Sequence, residues 1–252
     1  MEYDKLLNLG AELGQRLMAS GAEIYRVEES VERVLAAYGL KPQVFAIPNC
    51  LIVSVSTPEG HPITRMCRIP AHGTDIELLE RCNDLCRRLC REALPVEEAQ
   101  RLVDCLEGES RRFSPRVVLL GYGAAAAFFA LFFGGRVWDS LSAALCGLAV
   151  GVCILFGRPL TGSNLFFRTV VCSAVAASLA FFLVLAGMGQ NLEAITIGTL
   201  MVLVPGMALT NAMREIMAGD IFSGLNRTAE VLLVATAIAL GSALPLLLGR
   251  GM

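Results

Sequence analysis

Five stretches of this 252-residue chain contain no charged residue: 117–135, 140–157, 169–192, 194–213 and 231–249, of 19, 18, 24, 20 and 19 residues. A helix rises 1.5 Å per residue and the bilayer core is about 30 Å thick, so roughly 20 residues cross it. Each run is close to that length, and buried helices of water-soluble proteins rarely stay uncharged so long. The pattern predicts five transmembrane helices. Charge placement supports the division: residues 1–116 hold 15 of the 21 Lys/Arg and 18 of the 23 Asp/Glu, and the remainder hold six and five. The expected fold is therefore membrane α-helical, with an N-terminal cytoplasmic α+β domain (1–112) and a five-helix transmembrane domain (113–252). No basic patch is left to neutralise phosphates, which argues against nucleic-acid binding.

Arginines near the run ends give the expected orientation. Arg111, Arg112, Arg116, Arg158, Arg168, Arg214 and Arg227 fall on one side, against Arg136 and Arg250 on the other. Seven against two puts the N-terminus inside and the C-terminus outside. A basic segment followed by a short apolar stretch and a cleavage site does not occur at the start, so no signal peptide is expected. Six of the nine cysteines lie in the N-terminal half, where a reducing cytoplasm disfavours disulfides.

Within that half, Leu6, Leu9, Leu13 and Leu17 share one helical face ended by Gly21. Ile24, Val27, Val31 and Val34 mark a second helix closed by Gly39. Leu51, Val53 and Val55 alternate with Ile52, Ser54 and Ser56, which predicts a strand. The Pro58-to-Pro62 turn leads to a weaker strand around Ile63 to Ile69. Leu79, Cys82, Cys86 and Leu89 mark a third helix, and Val96, Ala99, Val103 and Leu106 a fourth, entered through Pro95.

Candidate chemistry in this half is sparse. Cys82, Cys86 and Cys90 share a helix face, but tetrahedral zinc sites use short CxxC knuckles and a fourth ligand, so a core-facing stripe is the simpler reading. Cys67 and His72 could act as nucleophile and base, yet nothing marks an activating environment. Glu23, Arg26 and Glu28 crowd the second helix and form either a solvated charged face or a site. No P-loop, GxSxG or HExxH motif is present; neither an enzyme nor a bound metal or cofactor is expected. Ala143, Gly147 and Gly151 form a small-residue stripe for close helix contact. Gly121-Tyr122-Gly123 mimics a dinucleotide fingerprint, but it lies inside an apolar run with no strand before it.

The fourth run is different. It contains Val204-Pro205-Gly206, and proline removes a backbone donor and breaks a helix. Such a break at membrane depth persists where protein or a water-lined cavity satisfies the freed groups, and interrupted helices commonly build transporter substrate sites. A polar stretch follows: Asn211, Arg214, Glu215, Asp220, Ser223, Asn226, Arg227 and Glu230. Asp220 and Ser223 are placed to cap a following helix. Asn211 and Arg227 are candidates to bind a carboxylate-bearing solute, and Glu215, Asp220 or Glu230 to carry a coupling proton. A second polar knot is Thr161-Gly162-Ser163-Asn164.

The run Pro205-Gly206-(x4)-Asn211-(x2)-Arg214-Glu215-(x3)-Gly219-Asp220-(x2)-Ser223-Gly224-(x2)-Arg227 resembles the signature of the threonine/serine exporter family. Gly21-Ala22-Glu23-(x2)-Arg26-Val27-Glu28 resembles that family's cytoplasmic domain. Full-length members carry a second set of spans; this chain is similar to the half-size members, completed by a separate small membrane subunit. The resemblance implies a subunit of a bacterial inner-membrane exporter, a secondary transporter of serine and threonine or of a dicarboxylate such as succinate, working as an oligomer in the lipid bilayer. The rival reading is a membrane-anchored sensor or scaffold whose cytoplasmic domain binds a regulator.

Overall fold

The computed structural model describes residues 3–57, 59–70, 73–108, 113–157 and 164–249. They sort into two compact units. The first joins residues 1–111 with Met207–Thr228, and the second joins 112–206 with residues 229–252.

The first unit is built from the periodicities read above. Helix α1 (Tyr3–Ala19) buries Leu6, Leu9, Leu13 and Leu17, and α2 (Ile24–Ala37) buries Ile24, Val27, Val31 and Val34. Between them Gly21 sits at φ +96°, and a Cβ there would lie 2.6 Å from the Gly73 carbonyl oxygen. Backbone conformation and space both demand glycine at this corner. Three antiparallel strands follow, β1 (Pro42–Ile47), β2 (Cys50–Ser56) and β3 (Pro62–Arg68), in the order β1-β2-β3. Val44 faces Val53 and Val53 faces Arg65 across the sheet. Leu51, Val53 and Val55 of the central strand point inward and are buried.

Strand β1 is an addition to the sequence reading. It opens on Pro42 at an edge, the one sheet position where proline's missing donor is harmless, and of its side chains only that of Ala46 is fully buried. Helix α3 (Ile76–Glu92) is capped by Asp75, whose Oδ1 accepts from the Leu78 N–H at 3.0 Å. Helix α4 (Val96–Gly108) lays Ala99, Val103 and Leu106 onto the same core. Cys82 and Cys86 belong to that core, while Cys90 is exposed; burial pushes the Cys86 thiol up to about 12. His72 lies outside the described residues.

The second unit contains α5 (Pro115–Phe132), α6 (Val137–Phe156), α7 (Leu165–Leu185) and α8 (Leu192–Leu200). Helix α9 (Gly206–Met217) belongs to the first unit. Helix α10 (Ile221–Gly249) has its first turns in the first unit and the rest in the second. Among the described residues four helices are long and apolar enough to cross a membrane: α5, α6, α7 and α10 over Ile221–Ala243. Their large side chains face outward, Phe128, Phe132, Phe182 and Leu185 among them, as lipid contact requires.

Four of the five expected spans thus fall on long apolar helices, and the fourth run carries the break that its proline leads one to expect. The uncharged run 194–213 is split between α8 and α9, because Pro205 brings no N–H and excludes the preceding turn from helical geometry. The last run also begins earlier than its uncharged stretch, since Asp220 caps α10 and carries its polar first turns.

Small residues bring α5 and α6 together. A Cβ on Gly147 would lie 2.5 Å from the Tyr122 carbonyl oxygen, and one on Gly151 would lie 3.0 Å from Leu119. The Ala143–Gly147–Gly151 stripe thus packs within the chain. At the end of the unit where α6 begins, Asp139 accepts from the backbone N–H groups of Arg136, Gln190 and Asn191 at 2.6–3.0 Å. That carboxylate ties the start of α6 to the α7–α8 turn.

Candidate functional site

The two family-like motifs meet inside the first unit. On α9, Asn211, Arg214 and Glu215 have i, i+3, i+4 spacing, which puts them on one helix face. That face lies against the α1–α2 corner. The Asn211 Nδ2 donates to the Gly21 carbonyl oxygen at 3.2 Å. The Arg214 guanidinium donates to Glu23 Oε1 at 3.1 Å, and Arg26 lies 3.7 Å from the other oxygen of the same carboxylate. Glu23 is buried, whereas Arg26 and Arg214 are exposed. The crowded charges of the second helix are thus more than a solvated face.

Glu215 is the deepest charged group of the cluster, with no exposed surface. Its Oε1 accepts from the Ile24 N–H at 3.3 Å and lies 3.6 Å from the Arg227 guanidinium. Its Oε2 has no hydrogen-bond partner among the described residues. Burial raises the proton affinity of this carboxyl above the ordinary carboxylate range. Arg227 and the Ile24 N–H oppose the rise, and the negative charges of Asp220 and Glu23 add to it.

The α9–α10 corner positions these groups. Gly219, at φ +94°, closes α9, with the Asp220 N–H donating to the Glu215 carbonyl oxygen at 3.0 Å. Asp220 Oδ1 then accepts from the Ser223 N–H at 3.3 Å and starts α10. One turn later α10 presents Arg227 to Glu215. A Cβ on Gly224 would lie 2.5 Å from Ile216, so the two helices approach as closely as glycine permits. Ser223 is buried and its Oγ has no partner among the described residues. Glu28 accepts from the Ala46 N–H at 2.7 Å, fastening α2 to β1. Burial raises its proton affinity against that bond, and Asp220 and Glu32 push in the same direction.

The remaining candidates stand elsewhere. Pro205 is half-buried and Gly206 exposed at the break between α8 and α9. Glu230 is exposed on α10. Asn164 caps α7, its Oδ1 accepting from the Phe166 N–H at 2.9 Å. Ser163, with Thr161 and Gly162, lies outside the described residues. The sequence reading kept the two motifs apart. The contact between them runs through the Glu23–Arg214 pair and through the Gly21 carbonyl and the Ile24 N–H, backbone groups that no side-chain pattern reports.

Outward-facing apolar helices, one uncharged run broken at a proline and a nearly buried Glu215–Arg227 pair are features of a multi-pass membrane transport protein. The chain belongs to the threonine/serine exporter family, whose ThrE family model matches residues 8–249. It is similar to the "Probable threonine/serine exporter" of Mycobacterium tuberculosis, 25% identical over 94% of this chain and 45% of that protein. It is also similar to the threonine/serine exporter of Corynebacterium glutamicum, 26% identical over 94% of this chain and 50% of that protein. A fungal relative, pheromone-regulated membrane protein 10 of Debaryomyces hansenii, is 25% identical over 89% of this chain and 23% of its own length. The chain thus spans about half the length of the two bacterial relatives. No solved structure matches it at a significant level.

Proposed function

We propose that this chain forms part of a secondary transporter exporting threonine and serine across the bacterial inner membrane. The observation that carries the reading is the interruption between Leu200 and Gly206 within an uncharged run, in a chain matched to the exporter family over residues 8–249. Broken helices with freed backbone groups are the usual material of transporter substrate sites. The names of the bacterial relatives favour threonine and serine over succinate.

In this reading the fourth run crosses the membrane as a broken helix, giving five crossings, with the first unit cytoplasmic and the end of α10 outside. The arginine distribution supports that orientation. The Asn211–Arg227 segment couples the α1–α2 corner to the break, and Glu215 is the group that takes and releases a coupling proton. Asp220 and Ser223 shape the corner, and Glu230 stands beside the path. The bacterial relatives are about twice as long as the matched region. The transporting unit therefore includes more protein than these 252 residues, in the form of a separate small membrane subunit or a longer chain, assembled as an oligomer.

Counterflow of labelled serine, threonine and succinate into liposomes, with and without the co-purified small subunit, tests the reading. Saturable flux of serine and threonine that fails with Pro205→Leu is expected. Absence of flux for all three solutes would remove the exporter reading in favour of a membrane-anchored sensor.

A further inference from the structure

Beside the helix break, the second unit carries a half-open cavity of about 220 Å³ whose wall includes Tyr122, Arg168, Thr169, Val202, Pro205 and Val234. The volume lies below the ~300–1,000 Å³ of drug-sized sites and suits a solute of a few heavy atoms. Resting on the exporter reading, we infer that this cavity is a zwitterion site: Arg168 receives the α-carboxylate of a small amino acid, and the carbonyl group of Val202 receives its α-ammonium.

Three observations carry this. Leu165, Arg168, Thr169 and Cys172 line the cavity at i, i+3, i+4, i+7 spacing, so one stripe of α7 is committed to it. Arg168 is half-buried at the start of an otherwise uncharged helix, and among the described residues no carboxylate pairs with it. The Asp139 carboxylate is spent on three backbone donors near the far end of α6, about 20 Å away by helical rise. A guanidinium that borders a cavity in an apolar helical unit, with no carboxylate partner among the described residues, marks a place for an anionic group.

The third observation is the backbone. Pro205 has no N–H, and the Gly206 N–H donates to the Val204 carbonyl oxygen at 2.9 Å instead of to Val202. Val202 thereby loses its helical donor where its residue lines the cavity. One cation and one freed carbonyl match a group bearing both a carboxylate and an ammonium. They match a dicarboxylate poorly, because its second carboxylate would meet an acceptor.

The test is titration calorimetry on the full-length chain, co-purified with its small subunit where one is present, using L-serine, L-threonine, serinamide, N-acetylserine and succinate. Serine and threonine should bind at least tenfold tighter than the other three. Arg168→Gln should weaken serine binding at least tenfold and Arg168→Lys less. Val202→Phe, which fills the cavity without touching charge, should abolish binding in protein that elutes as wild type on gel filtration. Unchanged serine affinity in Arg168→Gln or Val202→Phe, succinate binding as tight as serine, or no serine binding by wild type overturns the assignment. Parallel counterflow separates the two claims. Flux untouched by Arg168→Gln sinks the cavity and leaves the exporter; Arg168-dependent binding without flux does the reverse.

Discussion

Glu215 carries the sharpest consequences at the scale of single residues. Its carboxyl binds protons more readily in the folded chain than in the unfolded one, chiefly because it is buried. Between the ordinary value of 4.5 and the raised one, the folded state holds more protons than the unfolded state. Stability from this group is therefore full below 4.5, declines as pH rises through that window, and levels off above it. Thermal midpoints of wild type compared with Glu215→Gln should show that decline with pH, and a constant difference between them across the window would contradict it. Arg227 is the natural partner for a second experiment, because the pair is nearly buried. Arg227→Met leaves a buried carboxylate with its guanidinium gone, which costs about 3 kcal/mol when an ion pair is broken on one side. The double replacement Glu215→Leu/Arg227→Met should recover most of that loss in chemical denaturation, whereas additive losses would show that the two do not act as a pair.

At the scale of elements, glycines divide into those that hold helices together and those that do not. Gly147 admits the Tyr122 backbone at 2.5 Å from where a Cβ would stand, while Gly121 has nothing within 4 Å. Gly147→Leu should destabilise the second unit by about 1–3 kcal/mol through overpacking. Gly121→Ala should be neutral or stabilising by up to about 1 kcal/mol, as a better helix former in open space. Fluorescence-monitored melting of both variants checks the contrast, and equal midpoints would contradict it. The same elements show what the sequence makes legible. Stripes such as Leu6-Leu9-Leu13-Leu17 and Ile24-Val27-Val31-Val34 announce their helices because burial follows the helical period. Strand β1 is hidden, since an edge strand buries one side chain in full and leaves no alternation to read. Pro205 announces a break, but its consequence, the transfer of α9 to the first unit, depends on contacts with Gly21 and Ile24. Asn211 and Arg214 are legible as motif residues; that Arg214 answers Glu23, 191 positions away, is a property of the fold.

At the scale of the whole molecule, the proposed topology requires a chain with four long apolar helices among its described residues to return to its starting side. Residues 207–228 pack in the same unit as 1–111, and the proposed topology puts both on one side of a bilayer. Helix α7, of 21 residues, covers about 31 Å and is long enough to cross in one pass. Helix α8 has nine residues and covers only about 14 Å. Residues 201–204 continue in tight turns, the N–H groups of Val202, Leu203 and Val204 donating to the carbonyl oxygens of Thr199, Leu200 and Met201. At about 2 Å per residue the stretch 201–205 adds about 10 Å, so the first turns of α9 are needed to complete a crossing. In the proposed topology α8, its break and the start of α9 bring the chain back, and α10 then leaves again. Reporter fusions that distinguish the two faces should read outside at Gly134, at Gly187 and beyond Gly249, and inside at the N-terminus and at Gly219. An outside signal at Gly219 would place α9 apart from the first unit, and with it the pairing of Glu23 with Arg214 would fail. An inside signal beyond Gly249 would mean that α10 does not cross, leaving its outward-facing apolar surface without the lipid that explains it.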